Sequence, residues 1–171
     1  MREVEDFSQS EFDEIYNGLK CCAIKEANAV DFPKAIILGG QPGAGKSSLI
    51  TQLCVRQNKN VVVISGDDFR KEHPRFDQLY AQYGDDYVDY TQKFSSQVTE
   101  RLIDELSREK YNLIIEGTLR TSAVPIRTAE LLKSRGYHVE LAVMAVPPIL
   151  SYVGTIERNW NYIKNDNKAA A

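Results

Sequence analysis

The sequence predicts an α/β fold in which a mostly parallel β-sheet carries helices on both faces. Short apolar runs alternate with longer segments whose apolar residues recur three and four positions apart, which is the pattern of alternating strands and helices. The strand runs are almost continuously apolar, as expected for strands buried on both faces of a parallel sheet. Polar or glycine-rich residues follow three of these runs, at the edge where open α/β sheets bind ligands.

The composition indicates one globular domain over residues 1–171, with 43% hydrophobic and 26% charged residues. The net charge of -3 argues against a general nucleic-acid binder. Three cysteines and two histidines form neither a disulfide framework nor a zinc pattern. Because the sequence has no apolar signal segment and no run long enough to span a membrane, we expect a cytoplasmic protein.

The first predicted helix covers residues 8–29. Ser8 and Glu11 have the spacing of a capping box. The apolar positions of this helix share one face, which we expect to pack on the core: Phe12, Ile15, Tyr16, Leu19, Cys22 and Ala23. The cysteine of this face and its neighbour Cys21 are expected to be buried or incidental thiols.

A glycine-rich turn follows the first strand, residues 34–38, and leads into a helix that ends near residues 57–60. From Gly40 to Ser47 it fits the phosphate-binding loop (P-loop) pattern G-x-x-x-x-G-K-[ST] residue for residue. Backbone N–H groups of such a loop can surround a phosphate, and the helix adds its positive end. A loop that merely turns the chain is the alternative. The expected nucleotide-binding residues are Gly40, Gln41, Pro42, Gly43, Ala44, Gly45, Lys46 and Ser47.

Two acids follow the second strand, residues 61–64, at the same edge of the sheet. Asp67 or Asp68 could take a proton from a substrate hydroxyl or orient Mg²⁺. The alternative is that one of them caps the next helix. Residues 71–87 are polar and aromatic and long for a plain connection, so we expect a substrate-facing insertion with His73 as a loop residue.

A helix over residues 87–109 precedes the third strand, residues 112–115. The apolar face of this helix consists of Thr91, Phe94, Val98, Leu102 and Leu106. Glu100 lies off this face, and spacing alone favours a solvated surface acid. The third strand runs into EGTLR, residues 116–120, where an acid, a hydroxyl and a guanidinium form a polar pocket wall. A threonine cap beside a surface arginine is the alternative.

The last part of the sequence predicts a helix, a strand and a final helix. The first of these helices covers residues 124–135, and a strand follows over residues 137–146. The final helix carries an apolar stripe: Ile149, Val153, Ile156, Trp160 and Ile163. Arg158 lies off the stripe and by spacing is a surface arginine. Residues 165–171 are expected to be a frayed tail.

Three motifs together resemble the zeta-toxin family: GGQPGAGKS, ISGDDFRKEHP and LIIEGTLRT. The resemblance extends from about residue 35 to residue 159 and implies a P-loop kinase-like fold. The P-loop alone is shared by a very large class of proteins, whereas its combination with the other two motifs is much more specific.

The resemblance implies a kinase that uses Mg²⁺ with ATP, or with GTP, to phosphorylate the 3′-hydroxyl of the amino sugar of UDP-N-acetylglucosamine. The product blocks peptidoglycan synthesis, and a small helical antitoxin covers the nucleotide site. Members of the family usually continue beyond the length of this sequence. We therefore expect the C-terminal part of the family domain to be absent from residues 1–171.

The resemblance also implies roles for single residues. Lys46 holds the transferring phosphate, and Ser47 holds the metal. Asp67 accepts the proton of the sugar hydroxyl, and Arg158 stabilises charge on the phosphates. The implied substrate contacts are Glu100, Glu116, Thr118, Arg120 and Thr128.

Two other functions also fit the sequence. One is a small-molecule kinase of the same broad fold that acts on a nucleoside, an antibiotic or a sugar. The other is a truncated, inactive module that binds nucleotide or antitoxin without turnover.

Overall fold

The computed structural model describes the backbone of residues 6–119 and 121–169, and the side chains of these residues as far as residue 160. In chain order its helices and strands are α1 (Gln9–Ile24), β1 (Lys34–Gly40), α2 (Lys46–Arg56), β2 (Val62–Ser65), α3 (Phe76–Tyr83), α4 (Tyr87–Arg108), β3 (Leu113–Gly117), α5 (Ala123–Ser134), β4 (His138–Met144) and α6 (Pro148–Ala169). Two short 3₁₀ helices, Asp68–Glu72 and Gly84–Asp86, flank α3.

The four strands form one parallel sheet in the order β2-β3-β1-β4. Buried residues of α1, α4 and α5 pack on one face of this sheet, and residues of α2 pack on the other. The predicted α/β fold with helices on both faces is therefore confirmed. Since all strands run in the same direction, their carboxyl ends meet at one edge.

Helix α1 begins with the predicted capping box. Ser8 Oγ accepts a hydrogen bond from the backbone N–H of Glu11 at 3.3 Å, and the backbone N–H of Ser8 donates to Glu11 Oε2 at 2.7 Å. The helix ends at Ile24, five residues before the predicted end. Cys21 and Cys22 were expected to be buried or incidental thiols; both are exposed, so burial, the first of these alternatives, was wrong.

The segment over residues 71–87, predicted to be a substrate-facing insertion, is largely helical. Its aromatic residues recur at helical spacing, and Leu79 between them is fully buried. His73 does lie between helices, as predicted, but it is only 3% exposed. Its ring packs edge-on against Phe7 and Phe94, which accounts for its burial.

Strand β4 lies at an edge of the sheet, and several apolar side chains of β4 and α6 are exposed. These include the described members of the predicted α6 stripe together with two residues of β4: Leu141, Val143, Ile149, Val153, Ile156 and Trp160. Helix α6 continues to Ala169, so residues 165–169 are helical and not a frayed tail. None of the described helices has the length and apolar character that crossing a membrane requires.

Candidate active site

The candidate site lies at the edge of the sheet where the carboxyl ends of β1, β2 and β3 meet. Glu116 of β3 pairs with Leu38 of β1 on one side and with Ser65 of β2 on the other. The P-loop begins two residues after Leu38, and Asp67 follows two residues after Ser65. The parallel register therefore brings all three predicted motifs to one place, as the sequence indicated.

The P-loop has the backbone conformation that its glycines permit. Gly43 and Gly45 have φ values of 72° and 91°, in the left-handed region that favours glycine. Helix α2 begins directly afterwards at Lys46, and Gly45 at the N-cap position provides no side chain to bind the first N–H groups of the helix. These N–H groups and the positive end of the helix are suited to bind phosphate oxygens.

Lys46 connects the loop to the end of β3. Its Nζ donates to the carbonyl oxygens of Gly40 at 3.0 Å and Gln41 at 3.2 Å. The same Nζ lies 3.7 Å from Glu116 Oε1, and the lysine side chain is only 11% exposed. The ammonium group is thus held between the P-loop and a carboxylate, within the region where phosphates of a nucleotide would bind.

Ser47 is exposed in the first turn of α2, next to Lys46. Among the described residues, no group of three or more His, Cys, Asp or Glu side chains could hold a metal ion. Magnesium does not need such a group, because it commonly binds one or two protein oxygens together with phosphate oxygens and water. The Ser47 hydroxyl fits that requirement.

Asp67 occupies the N-cap position of the 3₁₀ helix Asp68–Glu72, but its side chain makes no capping hydrogen bond. Instead, Asp67 Oδ1 accepts a hydrogen bond from Arg70 Nε at 3.0 Å, while its side chain is 79% exposed. The side chain of Asp67 therefore does not cap this helix, which was the alternative interpretation. An exposed carboxylate at this edge is available to a substrate hydroxyl.

The other predicted substrate contacts that the structure describes lie on α4, directly after β3 and on α5. Glu100 is exposed on α4 and follows Thr99, which lies close to Gly66 at the end of β2. Thr118 is exposed after β3. Thr128 lies on α5, where its Oγ1 donates to the Val124 carbonyl oxygen at 3.0 Å. The remaining predicted contact, Arg120, lies outside the described residues.

Helix α6 packs directly against the P-loop. Ser151 Oγ donates to the carbonyl oxygen of Pro42 at 2.6 Å, and Gly154 lies against the backbone of Gly43. Arg158 is exposed one turn after Gly154, on the same side of the helix. Sequence reasoning missed this contact, although a glycine inside a helical pattern is a signal of close packing.

Leu119 is a second residue that sequence reasoning missed. It has a φ of 50°, which is costly for a leucine by roughly 1–2 kcal/mol. A Cβ placed on Gly39 would come within 2.0 Å of Leu119 Cδ1, so the leucine side chain lies directly over this glycine. The segment after β3 is thereby packed on the end of β1, beside the P-loop.

The chain is similar to known toxins over most of its length. A family model described as zeta toxin matches residues 22–169. The toxin zeta of Streptococcus pyogenes is 44% identical over 158 residues, which are 92% of this chain and 55% of that protein. Toxin PezT of Streptococcus pneumoniae serotype 4 is 42% identical over 170 residues, which are 99% of this chain and 67% of that protein.

The fold also matches that of a relative whose structure has been solved. A chain from the PezAT chromosomal toxin–antitoxin system of Streptococcus pneumoniae superposes with a TM-score of 0.92 at 42% identity. The match covers 96% of this chain and 68% of that one. This chain therefore spans about half to two thirds of the length of the relatives that it matches.

Proposed function

This chain belongs to the zeta toxin family, and we propose that it is a P-loop kinase acting as the toxin of a toxin–antitoxin system. Its substrate is UDP-N-acetylglucosamine, and phosphate is transferred to the 3′-hydroxyl of the amino sugar. The main observation behind this proposal is that Lys46 Nζ and Glu116 Oε1 lie 3.7 Å apart. Lys46 belongs to the P-loop, and Glu116 belongs to the EGTLR motif that is proposed to bind the acceptor.

On the donor side, the P-loop binds the phosphates of ATP. The N–H groups of the loop and of the first turn of α2 donate to phosphate oxygens, and Lys46 moves from its carbonyl partners to the transferring phosphate. Arg158 adds positive charge from α6, which packs on the same loop. Ser47 is the residue that would hold Mg²⁺, which when bound would neutralise charge on the phosphates.

On the acceptor side, Asp67 is the general base. One of its oxygens is held by Arg70, and the other is available to the sugar hydroxyl. As the hydroxyl oxygen bonds to the γ-phosphorus, the bond from phosphorus to the β–γ bridging oxygen breaks and ADP leaves. The hydroxyl proton passes to Asp67. The protein contributes mainly position and charge to this reaction.

The sugar nucleotide is bound by residues from three elements. The proposed roles of Glu116 and Thr118 are supported by their position at the end of β3, at the edge of the sheet. The proposed roles of Glu100 on α4, Thr128 on α5 and Arg120 are based only on the resemblance to the family. The phosphorylated product would block peptidoglycan synthesis, and the proposed location of the reaction is the cytoplasm.

The proposed partner is a small helical antitoxin that covers the nucleotide site. The solved relative comes from a chromosomal toxin–antitoxin system. In this chain the loop residues Gln41, Pro42 and Gly45 and the metal residue Ser47 are exposed, so a partner could cover them. A covered loop would exclude ATP and keep the toxin inactive.

A second candidate function is binding of nucleotide or antitoxin without turnover. A small-molecule kinase with another acceptor is a third candidate. All three share the P-loop and differ only in what happens after ATP has bound.

An acceptor panel tests these candidates together. The chain is incubated with Mg·ATP and separately with UDP-N-acetylglucosamine, UDP-glucose, free N-acetylglucosamine or a nucleoside, and ADP release is measured. We expect acceptor-dependent ADP release with UDP-N-acetylglucosamine above all. Preference for another acceptor would reassign the substrate, whereas ATP binding without release in every case would favour the inactive module.

A further inference from the structure

Arg70 is a buried arginine directly behind the candidate base. It is only 9% exposed, and all three nitrogens of its guanidinium group have acceptors. Nε donates to Asp67 Oδ1 at 3.0 Å, Nη1 to the carbonyl oxygen of Val88 at 2.7 Å, and Nη2 to Gln92 Oε1 at 2.7 Å. A buried guanidinium is costly unless its donors are satisfied, so this set of contacts fixes the side chain in one orientation.

The contacts of Arg70 lie mostly on α4. Val88 and Gln92 belong to its first two turns, and Gln92 Nε2 donates in turn to Ser96 Oγ at 2.7 Å. Arg70 Nη1 also lies 3.5 Å from Thr91 Oγ1. The orientation of the arginine is therefore determined by a long helix rather than by the short 3₁₀ helix that carries it.

The exposure of the two partners differs sharply. The side chain of Arg70 is 11% exposed, whereas that of Asp67 is 79% exposed. An unattached aspartate on such a surface would populate several rotamers. The hydrogen bond from Arg70 restricts these rotamers by holding Oδ1, and it leaves Oδ2 as the oxygen that is free to meet a substrate.

We propose that Arg70 is a positioning residue, which holds Asp67 so that Oδ2 faces the hydroxyl of the phosphate acceptor. This inference rests on the proposed function, in which Asp67 is the base. Arg70 itself does not contact the reacting atoms. Its effect on the reaction passes through the orientation of Asp67, because proton transfer requires the carboxylate within hydrogen-bond reach of the hydroxyl.

A purely structural role is the competing explanation, since Arg70 also ties the 3₁₀ helix to α4. The two roles differ in how they depend on Asp67. If Arg70 only stabilises the fold, its removal lowers activity by the same factor whether or not the base is present. If it positions the base, its removal has an effect only when the base is present.

The test is a double-mutant cycle on kcat for phosphoryl transfer to UDP-N-acetylglucosamine. The four proteins are wild type, Arg70→Met, Asp67→Asn and the double variant. Asp67→Asn keeps an oxygen that accepts from Arg70 Nε while removing the base.

We expect Arg70→Met to lower kcat by about 10- to 100-fold with little change in KM for ATP, as misplacement of a catalytic group does. In the Asp67→Asn background it should change the residual kcat by less than about twofold.

Two further variants keep the inference testable if Arg70→Met folds poorly. Arg70→Lys retains a charge and one donor and should recover part of the lost kcat. Gln92→Ala removes the acceptor of Nη2 from an exposed position of α4 and should lower kcat about two- to fivefold at unchanged KM for ATP. Melting temperature is recorded for each variant to separate folding from positioning.

The inference would be overturned if Arg70→Met lowered kcat by the same factor in wild type and in Asp67→Asn. It would also be overturned if wild type transfers phosphate and Arg70→Met has the same kcat as wild type. In that second case the proposed function would stand. If wild type transfers no phosphate to any acceptor, the proposed function and this inference fall together.

Discussion

Gly43 of the P-loop and Gly154 of α6 lie in direct backbone contact. A Cβ placed on Gly43 would come within 2.3 Å of the Ser151 carbonyl oxygen, and a Cβ on Gly154 would come within 2.4 Å of the Gly43 carbonyl oxygen. No side chain fits between the two segments. The position of α6, and with it that of Arg158, is therefore set by the shape of the P-loop.

Gly154→Ala should weaken ATP binding, because the added methyl group forces α6 or the loop to shift. We expect a loss of at least about tenfold in affinity, equivalent to about 1.4 kcal/mol. Alanine favours a helix over glycine by roughly 1 kcal/mol, so a loss cannot be due to helix propensity. Calorimetric titration with ATP measures the effect.

The matched control is Gly18→Ala in α1, where an added Cβ would meet nothing within 4 Å. This variant should bind ATP as wild type does and should melt at the same or a higher temperature. Wild-type affinity in Gly154→Ala would contradict the importance of the contact between α6 and the loop.

Glu116→Gln should strengthen ATP binding while impairing transfer to the sugar nucleotide. The carboxylate lies 3.7 Å from Lys46 Nζ, so it competes with phosphates for the lysine and repels them. Removing this one partly exposed negative charge should make the free energy of ATP binding more favourable by on the order of 1 kcal/mol, which is about fivefold in affinity. ATP titration and KM for the acceptor are measured on the same protein.

Glu100→Gln serves as the comparison for this prediction, since Glu100 is an exposed acid on α4. We expect it to leave ATP affinity unchanged and to raise only KM for the sugar nucleotide. An ATP affinity that stays the same in Glu116→Gln, or that falls, would show that the carboxylate does not compete for Lys46.

Gly39→Ala should destabilise the protein through Leu119. The new methyl group would lie within 2.0 Å of Leu119 Cδ1, so the leucine must leave its place over β1. Overpacking of this kind costs about 1–3 kcal/mol, and each kcal/mol lowers the melting temperature of a chain of this size by about 2–4 °C. Thermal unfolding followed by circular dichroism measures the change.

Gly117→Ala is the control at the same edge, because its Cβ would point into open space. It should leave the melting temperature within about 2 °C of wild type. If both variants melt at the wild-type temperature, Leu119 adapts without cost and the proposed packing of this segment on β1 is wrong.

Stability should fall at acid pH through Glu105, which connects α4 to α1. Burial pushes the pKa of Glu105 upward, but hydrogen bonds from Arg101 at 2.8 Å and Lys20 at 2.9 Å outweigh it and lower the pKa from 4.5 to about 2. A lowered pKa means that the folded protein favours the ionised carboxyl. Its contribution is therefore present above pH 4.5 and is lost as the pH falls through 2.

We expect this contribution to be about 1–2 kcal/mol after solvent screening, measured as the free energy of unfolding in urea between pH 6 and pH 2. In Glu105→Gln the free energy of unfolding should change less with pH over that range. Glu109→Gln removes a more exposed partner of Lys20 and should change the curve little. Identical pH dependence in wild type and Glu105→Gln would contradict the assignment.

Much of the fold follows from local patterns in the sequence. The strand runs, the capping box of Ser8 and Glu11 and the P-loop are encoded within a few neighbouring residues, and the structure has them in the expected order. The parallel register then brings Lys46 and Glu116 together, as expected for residues that follow neighbouring strands.

What the sequence did not predict depends on contacts between distant segments. The burial of His73 comes from aromatic rings of other elements, and the contact of Gly154 with Gly43 joins residues that are far apart in the chain. The proposed substrate contacts Glu100 and Thr128 could not be found from spacing, because a residue that contacts only a ligand leaves no periodic signal in its own helix.

The most direct test of the central claim is the mass of UDP-N-acetylglucosamine after incubation with this chain and Mg·ATP. Lys46→Ala and Asp67→Asn are run beside wild type, with ATP binding recorded for each protein. We expect a product heavier by one phosphate from wild type and little or none from either variant. Unmodified UDP-N-acetylglucosamine after incubation with a wild-type protein that binds ATP would contradict the central claim.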